Sequence, residues 1–222
     1  ELVNIFTRKT IELLDNHPVN IKRAAKGYLK ANVLLLRDGG GEIVKVKPIN
    51  ELFGMRFVAV AEMPVEKGIA RLVGMDIAEV PPPSENHVSD YKNRLEITLG
   101  LLEKYDAVYV HLKGPDEPGH DGNFEKKVKA IELIDKYFTK PLLELIDLED
   151  TAIIVTSDHA TPWIYKRHTD DPVPVLIYIP GINGDGISRF SERDCKNGSL
   201  GIIEHGWKLL PIVFSFINKL KS

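Results

Sequence analysis

Short apolar runs alternate with helix-length amphipathic stretches, and this alternation constrains the fold more than any other feature. The runs at 57–61, 107–112 and 151–156 are almost continuously apolar, and helical periodicity fills 90–104 and 124–146. Uninterrupted apolar runs are typical of strands that are buried on both faces, and their alternation with helices predicts a mostly parallel sheet flanked by helices. We therefore expect an α/β fold, in which ligands bind beyond the carboxyl ends of the strands.

The first fifty residues follow a different pattern. Apolar residues recur at helical spacing over 5–14 and 21–29, and a short apolar run over 32–37 predicts a strand that ends in a turn at Asp38 and three glycines. This stretch is too small to hold a core of its own. We place the domain boundary near 48–53, which divides the chain into 1–52 and 53–222.

The composition excludes several classes of protein. The 222 residues are 43% hydrophobic and 27% charged, which is typical of a globular chain. The net charge of −3 and the absence of a Lys/Arg block argue against nucleic-acid and membrane partners. The single cysteine, Cys195, rules out a disulfide within the chain. The chain contains no Gln but many Glu and Lys residues, which hints at a thermophilic source.

Two of the predicted strands end in loops that each carry a carboxylate and an imidazole. Asp116 and His120 follow the strand at 107–112, and a tight turn between them would bring both side chains to one point. Asp158 and His159 follow the strand at 151–156; as neighbours at a strand end, their side chains should diverge and could serve two adjacent ions. His168 lies nine residues after His159 and could return to the same place.

These side chains together predict a metal site. Either motif alone usually has no function, but both on successive strands of one sheet, with a third histidine nearby, favour metal binding. Carboxylate and imidazole together suit Mn, Zn, Co or Fe better than Ca. Sites with two metals are typical of phosphoryl transfer. Lys113 is a weaker candidate for an anion contact, and we expect His111 to be a core or sheet-face residue.

Three segments carry a family resemblance: 114–123, 156–162 and 168–174. They resemble the cofactor-independent phosphoglycerate mutases, most closely the archaeal-type branch, within the alkaline phosphatase superfamily. The stretches 32–37 and 67–76 are also similar to this branch. The resemblance implies an alkaline-phosphatase-like fold and a cytoplasmic, glycolytic isomerase that interconverts 3-phosphoglycerate and 2-phosphoglycerate through a phosphoserine. It also implies two divalent metal ions, Mn, Co, Zn or Mg.

The resemblance further implies roles for particular residues. One ion would be held by Asp116, His120 and His168. The other would be held by Asp158 and His159, together with an Asp and the nucleophilic Ser from the N-terminal part of the family's enzymes. Arg37 and Lys67 are candidates for contacts to the substrate carboxylate or phosphate, and ordinary surface ion pairing is the alternative for both.

The chain departs from the family pattern in one large respect. It contains neither that Asp nor a Ser in the expected turn, and Ser157 lies inside the Asp-His motif. We therefore expect the chain to be the C-terminal portion of a longer enzyme, with 1–52 as the remnant of an inserted substrate-clamping domain and with little or no turnover of its own. Two alternatives stay open. The protein could be another phosphatase or a phosphopentomutase of the same superfamily, or an inactive metal-binding fragment.

Overall fold

The computed structural model describes residues 1–36 and 39–221, and the chain divides into two compact units, Glu1–Lys45 and Val46–Ser222. The first unit contains α1 (Leu2–Asp15) and α2 (Pro18–Ala25). Proline occupies the first turn of α2, where its missing N–H is not needed. The side chain of Asn20 is buried and bonds to the carbonyls of Leu14 and Ala31 and to the Ala31 N–H, which ties the segment after α2 back onto the helix pair.

The strand predicted at 32–37 is wrong for its described part, 32–36, which has no ladder partner among the described residues, while Arg37 lies outside them. Leu34, Leu35 and Leu36 are 51%, 79% and 52% exposed. An apolar run becomes a strand only where another strand satisfies its backbone groups. Asp38, where the turn is predicted to begin, lies outside the described residues. The assignment of 1–52 to an inserted substrate-clamping domain stays a prediction.

The second unit alternates helices and strands. In chain order its elements are α3 (Ile49–Phe53), β1 (Phe57–Val60), α4 (Pro64–Leu72), β2 (Asp76–Ile77), α5 (His87–Leu102), β3 (Ala107–Val110), α6 (Asp116–Asp121), α7 (Phe124–Ile134), α8 (Lys140–Leu145), β4 (Ile153–Val155), β5 (Leu176–Tyr178), α9 (Glu192–Cys195) and α10 (Leu209–Lys221). A 3₁₀ turn, Gly206–Lys208, leads into α10.

A parallel sheet with the order β2-β1-β3 forms the centre of this unit, with Val60 opposite Val110 at the end of the shared ladder. All four residues of β1 are at most 5% exposed, since helices pack over the sheet. Tyr91 and Leu95 of α5 pack with Phe138 in the adjoining core. The prediction of an α/β fold with a parallel sheet flanked by helices is confirmed.

The prediction that the strands at 107–112 and 151–156 belong to one sheet is wrong for the described residues. β4 pairs only with β5, and the two strands run antiparallel, with Ile154 opposite Ile177. The chain between β4 and β5 contains no helix. Without a crossover helix a strand returns beside its predecessor in the opposite direction, which gives an antiparallel pair.

The amphipathic stretch at 124–146 forms one continuous helical rod, as its periodicity predicts, but with a wide turn in the middle. A π-helical turn, Asp135–Thr139, joins α7 to α8. Pro141 follows directly and cannot donate a backbone hydrogen bond, and a locally widened turn accommodates such a residue without breaking the helix. Across the described part of the chain, no helix combines the length and the apolar character needed to cross a membrane.

Candidate metal centre

Asp116 and His120 lie one helical turn apart on α6, which begins six residues after the last residue of β3. Side chains at i and i+4 share one face of a helix, so the turn predicted between them is helical. Asp116 Oδ1 lies 3.5 Å from His120 Nε2. Gly119 lets α6 lie directly on the second loop, because a Cβ at this position would stand 2.5 Å from the Thr161 carbonyl oxygen.

His168 returns to the same point through a short turn. An isolated antiparallel bridge joins Ala160 and Thr169, and Lys166, between them, has a left-handed φ of 54°. His168 Nε2 thereby lies 3.5 Å from Asp116 Oδ1 and 3.1 Å from His120 Nε2. The structure thus brings together the three residues that the family resemblance assigns to one ion, with their donor atoms all within 4.8 Å of one another.

The separations between these donor atoms suit a metal ion. Zinc ligands at 2.0–2.1 Å in tetrahedral geometry stand about 3.3 Å apart, close to the observed 3.1 Å and 3.5 Å. The three side chains are 38% (Asp116), 42% (His120) and 53% (His168) exposed, so an ion could reach them from solvent. One carboxylate with two imidazoles is a donor set for Zn, Mn, Co or Fe.

The hydrogen bonding of His120 prepares its ring for an ion. Its Nδ1 lies 3.2 Å from the carbonyl oxygen of Lys166, and a carbonyl only accepts. The Nδ1 atom must therefore carry the proton, which leaves the Nε2 lone pair facing Asp116 and His168. Metal-binding histidines in proteins are usually held in this way by a second hydrogen bond.

Asp158 and His159 form a second pair of donors beside the first set. The expectation that their side chains diverge is wrong, because Asp158 Oδ2 lies 3.4 Å from His159 Nε2. Both residues lie beyond the end of β4, where strand alternation no longer applies. The rings of His159 and His168 lie with their centroids 3.7 Å apart and their planes tilted by 31°, so the two sets adjoin.

The ionisation of Asp116 reflects opposing influences. Partial burial pushes the pKa of Asp116 up, but the hydrogen bond from Thr161 and the neighbouring imidazoles of His120, His159 and His168 leave it below its ordinary value of 3.8. The carboxyl group is therefore an anion at neutral pH, the form that binds a cation.

A cationic side chain, Lys113, lies near the same carboxylates in the loop between β3 and α6. Lys113 Nζ lies 2.9 Å from Glu66 Oε1 of α4. Burial lowers the pKa of Lys113, but Glu66, Asp158 and Asp116 together raise it above its ordinary value. His111, predicted to be a core or sheet-face residue, is mostly buried, with its Nε2 3.7 Å from the same Glu66 oxygen.

Of the two predicted substrate contacts, Arg37 and Lys67, only Lys67 lies among the described residues. Lys67 is half-buried on α4, next to Glu66, and no ion pair of its ammonium occurs in the portions of the chain described. Arg37 lies outside the described residues, so its contact with substrate stays a prediction. The sequence reasoning gave no role to Glu66 or Thr161. Thr161 could have been noticed in the sequence, because it is a polar residue two positions after the candidate ligand His159.

The chain is similar to known proteins over most of its length. A family model described as the Metalloenzyme superfamily matches residues 21–207. A 2,3-bisphosphoglycerate-independent phosphoglycerate mutase of Aeropyrum pernix is 45% identical over 97% of this chain and 51% of its own length. One from Archaeoglobus fulgidus is 41% identical over 100% of this chain and 53% of its own length. The chain thus spans about half the length of the curated relatives it matches, and these relatives confirm the family resemblance read from the sequence motifs.

Solved structures give the same relationship. A protein of Pyrococcus horikoshii superposes with a TM-score of 0.79 at 32% identity, covering 98% of this chain and 56% of the other. A cofactor-independent phosphoglycerate mutase from Thermoplasma acidophilum superposes with a TM-score of 0.61 at 27% identity, covering 97% and 51%. Both matches extend over almost the whole chain, so the similarity is not confined to the metal-site loops.

Proposed function

The chain belongs to the Metalloenzyme superfamily, and we propose that it is part of a metal-dependent phosphoglycerate mutase that interconverts 3-phosphoglycerate and 2-phosphoglycerate. The names of its archaeal relatives support this reaction. The single observation that carries the proposal is the convergence of Asp116, His120 and His168 within 4.8 Å, since a phosphomutase of this kind requires a metal site. The enzyme acts in the cytoplasm as part of glycolysis.

In this proposal the chain supplies ligands for two divalent ions. Asp116, His120 and His168 hold one ion, and Asp158 with His159 hold part of the coordination of the other. Bound to these residues, such ions would lower the pKa of an attacking hydroxyl and would neutralise charge on a phosphoryl group. The nucleophilic serine and a further aspartate come from a segment of the same enzyme that these 222 residues do not include.

Three cations are proposed to contact the substrate anion. Lys113 is 41% exposed and stands beside both acidic motifs, and its bond to Glu66 restrains the side chain before substrate arrives. Lys67 follows Glu66 on α4. Arg37 offers a planar fork that matches a carboxylate or phosphate. In each case the cation offsets the charge of phosphoglycerate.

The test is an assay of the intact polypeptide that carries this sequence, with added Mn²⁺ or Co²⁺. The proposal predicts that 3-phosphoglycerate is converted to 2-phosphoglycerate. Asp116→Asn should lower the rate by more than about 100-fold, because losing a hydrogen-bonded neighbour of a metal ligand already costs about 10–100-fold. Release of inorganic phosphate without 2-phosphoglycerate would instead identify a phosphatase of the same superfamily.

The 222-residue chain assayed alone provides the second arm. It should bind Mn²⁺ and show little or no turnover, because the proposed nucleophile is absent from it. Full mutase activity of the chain alone would contradict the assignment of the nucleophile to another segment. A chain that binds no divalent ion would contradict the metal site itself.

A further inference from the structure

A buried threonine hydroxyl connects the two sets of candidate ligands. Thr161 is 5% exposed, and its Oγ1 lies 2.6 Å from Asp116 Oδ1 and 3.1 Å from His159 Nδ1. Asp116 belongs to the first set and His159 to the second. Thr161 stands 45 residues from Asp116 but directly against α6, since its carbonyl oxygen fills the space that a side chain at position 119 would need.

The direction in which this hydroxyl donates its single proton decides which ring nitrogen of His159 carries a hydrogen. A separation of 2.6 Å is in the range of a hydroxyl that donates to an ionised carboxylate, so the proton of Thr161 points to Asp116. Thr161 Oγ1 can then only accept from His159. The Nδ1 atom of His159 must carry its proton, and the Nε2 lone pair faces Asp158.

We propose that Thr161 is a positioning residue that prepares both ligand sets at once. It orients the Asp116 carboxylate and locks His159 in the tautomer that offers Nε2 to an ion. The hydroxyl itself touches neither ion nor substrate. This role rests on the proposed metal site, but the tautomer of His159 is a property of the metal-free chain and can be measured separately.

His120 provides an internal reference for the test. Its Nδ1 atom faces the main-chain carbonyl of Lys166 and makes no hydrogen bond to Thr161, so the Thr161 hydroxyl does not set its tautomer. A substitution at Thr161 should therefore change the tautomer of His159 and leave that of His120 unchanged. A general loss of structure would change both.

The experiment measures the ring-nitrogen chemical shifts of both histidines by ¹⁵N NMR in the metal-free 222-residue chain. The wild-type chain should show His159 protonated at Nδ1. Thr161→Val, which keeps the shape and removes the hydroxyl, should shift His159 away from that tautomer, and Thr161→Ser should restore it. His159 protonated at Nε2 in the wild-type chain would overturn the proposal, even if no variant folds.

Metal affinity is the second readout, measured by titration with Mn²⁺. Thr161→Val should weaken binding by about 10–100-fold and Thr161→Ser should recover most of it, because hydrogen bonds to ligands tune affinity by that amount. Unchanged affinity in Thr161→Val would refute the positioning role. If the wild-type chain binds no Mn²⁺ but shows the expected tautomer, the proposed function fails and the hydrogen-bond assignment stands.

Discussion

Two groups of charged side chains lie in the second unit, and they differ in burial and in how their charges are matched. Arg94 and Glu62 form an ion pair at 2.7 Å with side chains 1% and 6% exposed. The remaining guanidinium bonds go to Asn93 and the Pro81 carbonyl, so each nitrogen has a partner within the protein. By contrast, Asp116 and its two histidines are more than a third exposed and present lone pairs to one another.

This difference in burial and pairing indicates that one group stabilises the fold and that the other is available to bind a ligand. Charges removed from water must be paired, and the Arg94 pair ties α5 to the chain segments on either side of β2. In the exposed cluster, the donor atoms of Asp116, His120 and His168 instead face one another. We infer that the first group acts on folding and the second on metal binding.

Removing the buried guanidinium should have the largest effect on stability. Arg94→Met leaves Glu62 as an uncompensated buried charge, and the free energy of unfolding should fall by about 3–5 kcal/mol. Denaturant unfolding of the metal-free chain measures it. The double variant Arg94→Met/Glu62→Leu should recover most of the loss, since replacing both charges by apolar groups is often close to neutral. A loss below about 1 kcal/mol in the single variant would contradict the division between the two groups.

A substitution where α6 meets the second loop should have an intermediate effect. Gly119→Ala pushes a methyl group against the Thr161 carbonyl, and the strain should lower the unfolding free energy by about 1–3 kcal/mol while weakening Mn²⁺ binding. The matched control is Gly100→Ala on the exposed face of α5, where the added methyl group meets no atom within 4 Å. That variant should be stabilised by up to about 1 kcal/mol, because alanine favours helix. Equal changes in unfolding free energy for Gly119→Ala and Gly100→Ala would show that α6 does not pack tightly against the Thr161 carbonyl.

The Glu66–Lys113 pair, intermediate in burial, should have the smallest effect, and that effect should depend on pH. Burial raises the pKa of Glu66, but the hydrogen bond and charge of Lys113 and the charge of His111 leave it below 4.5, while the pKa of Lys113 lies above 10.5. Because its pKa is lowered, the Glu66 carboxylate stabilises the fold above pH 4.5. This stabilisation is lost as the pH falls through the folded-state pKa of Glu66. Because its pKa is raised, the Lys113 ammonium stabilises the fold below pH 10.5. This stabilisation is lost as the pH rises through the folded-state pKa of Lys113.

Lys113→Met should therefore lower the unfolding free energy by about 0.5–1 kcal/mol near neutral pH, a value reduced for solvent screening. The difference from wild type should shrink in acid, where Glu66 becomes protonated. Lys129→Met is the control, because Lys129 pairs with Glu132 with both side chains at least 60% exposed. It should show no measurable difference at any pH. A difference between Lys113→Met and wild type that persists unchanged below the folded-state pKa of Glu66 would contradict the pairing.

Features set by local spacing were predictable from the sequence, whereas features set by distant partners were not. The i,i+4 spacing of Asp116 and His120 and the alternation around β1 and β3 reflect short-range geometry. The strand expected at 32–37 depended on a ladder partner that the sequence pattern does not reveal. The convergence of Asp158 with His159 depended on the chain leaving its strand geometry after Val155. The role of Thr161 depended on a contact 45 residues away.

The central claim is that Asp116, His120 and His168 hold a divalent ion, and anomalous scattering from crystals grown with Mn²⁺ tests it most directly. The account predicts a manganese peak within bonding distance of Asp116 Oδ1 and of both Nε2 atoms, about 2.0–2.3 Å away. The peak should vanish in Asp116→Asn crystals grown in the same way. A wild-type crystal without a peak at these atoms, or with manganese bound only at other positions, would contradict the account.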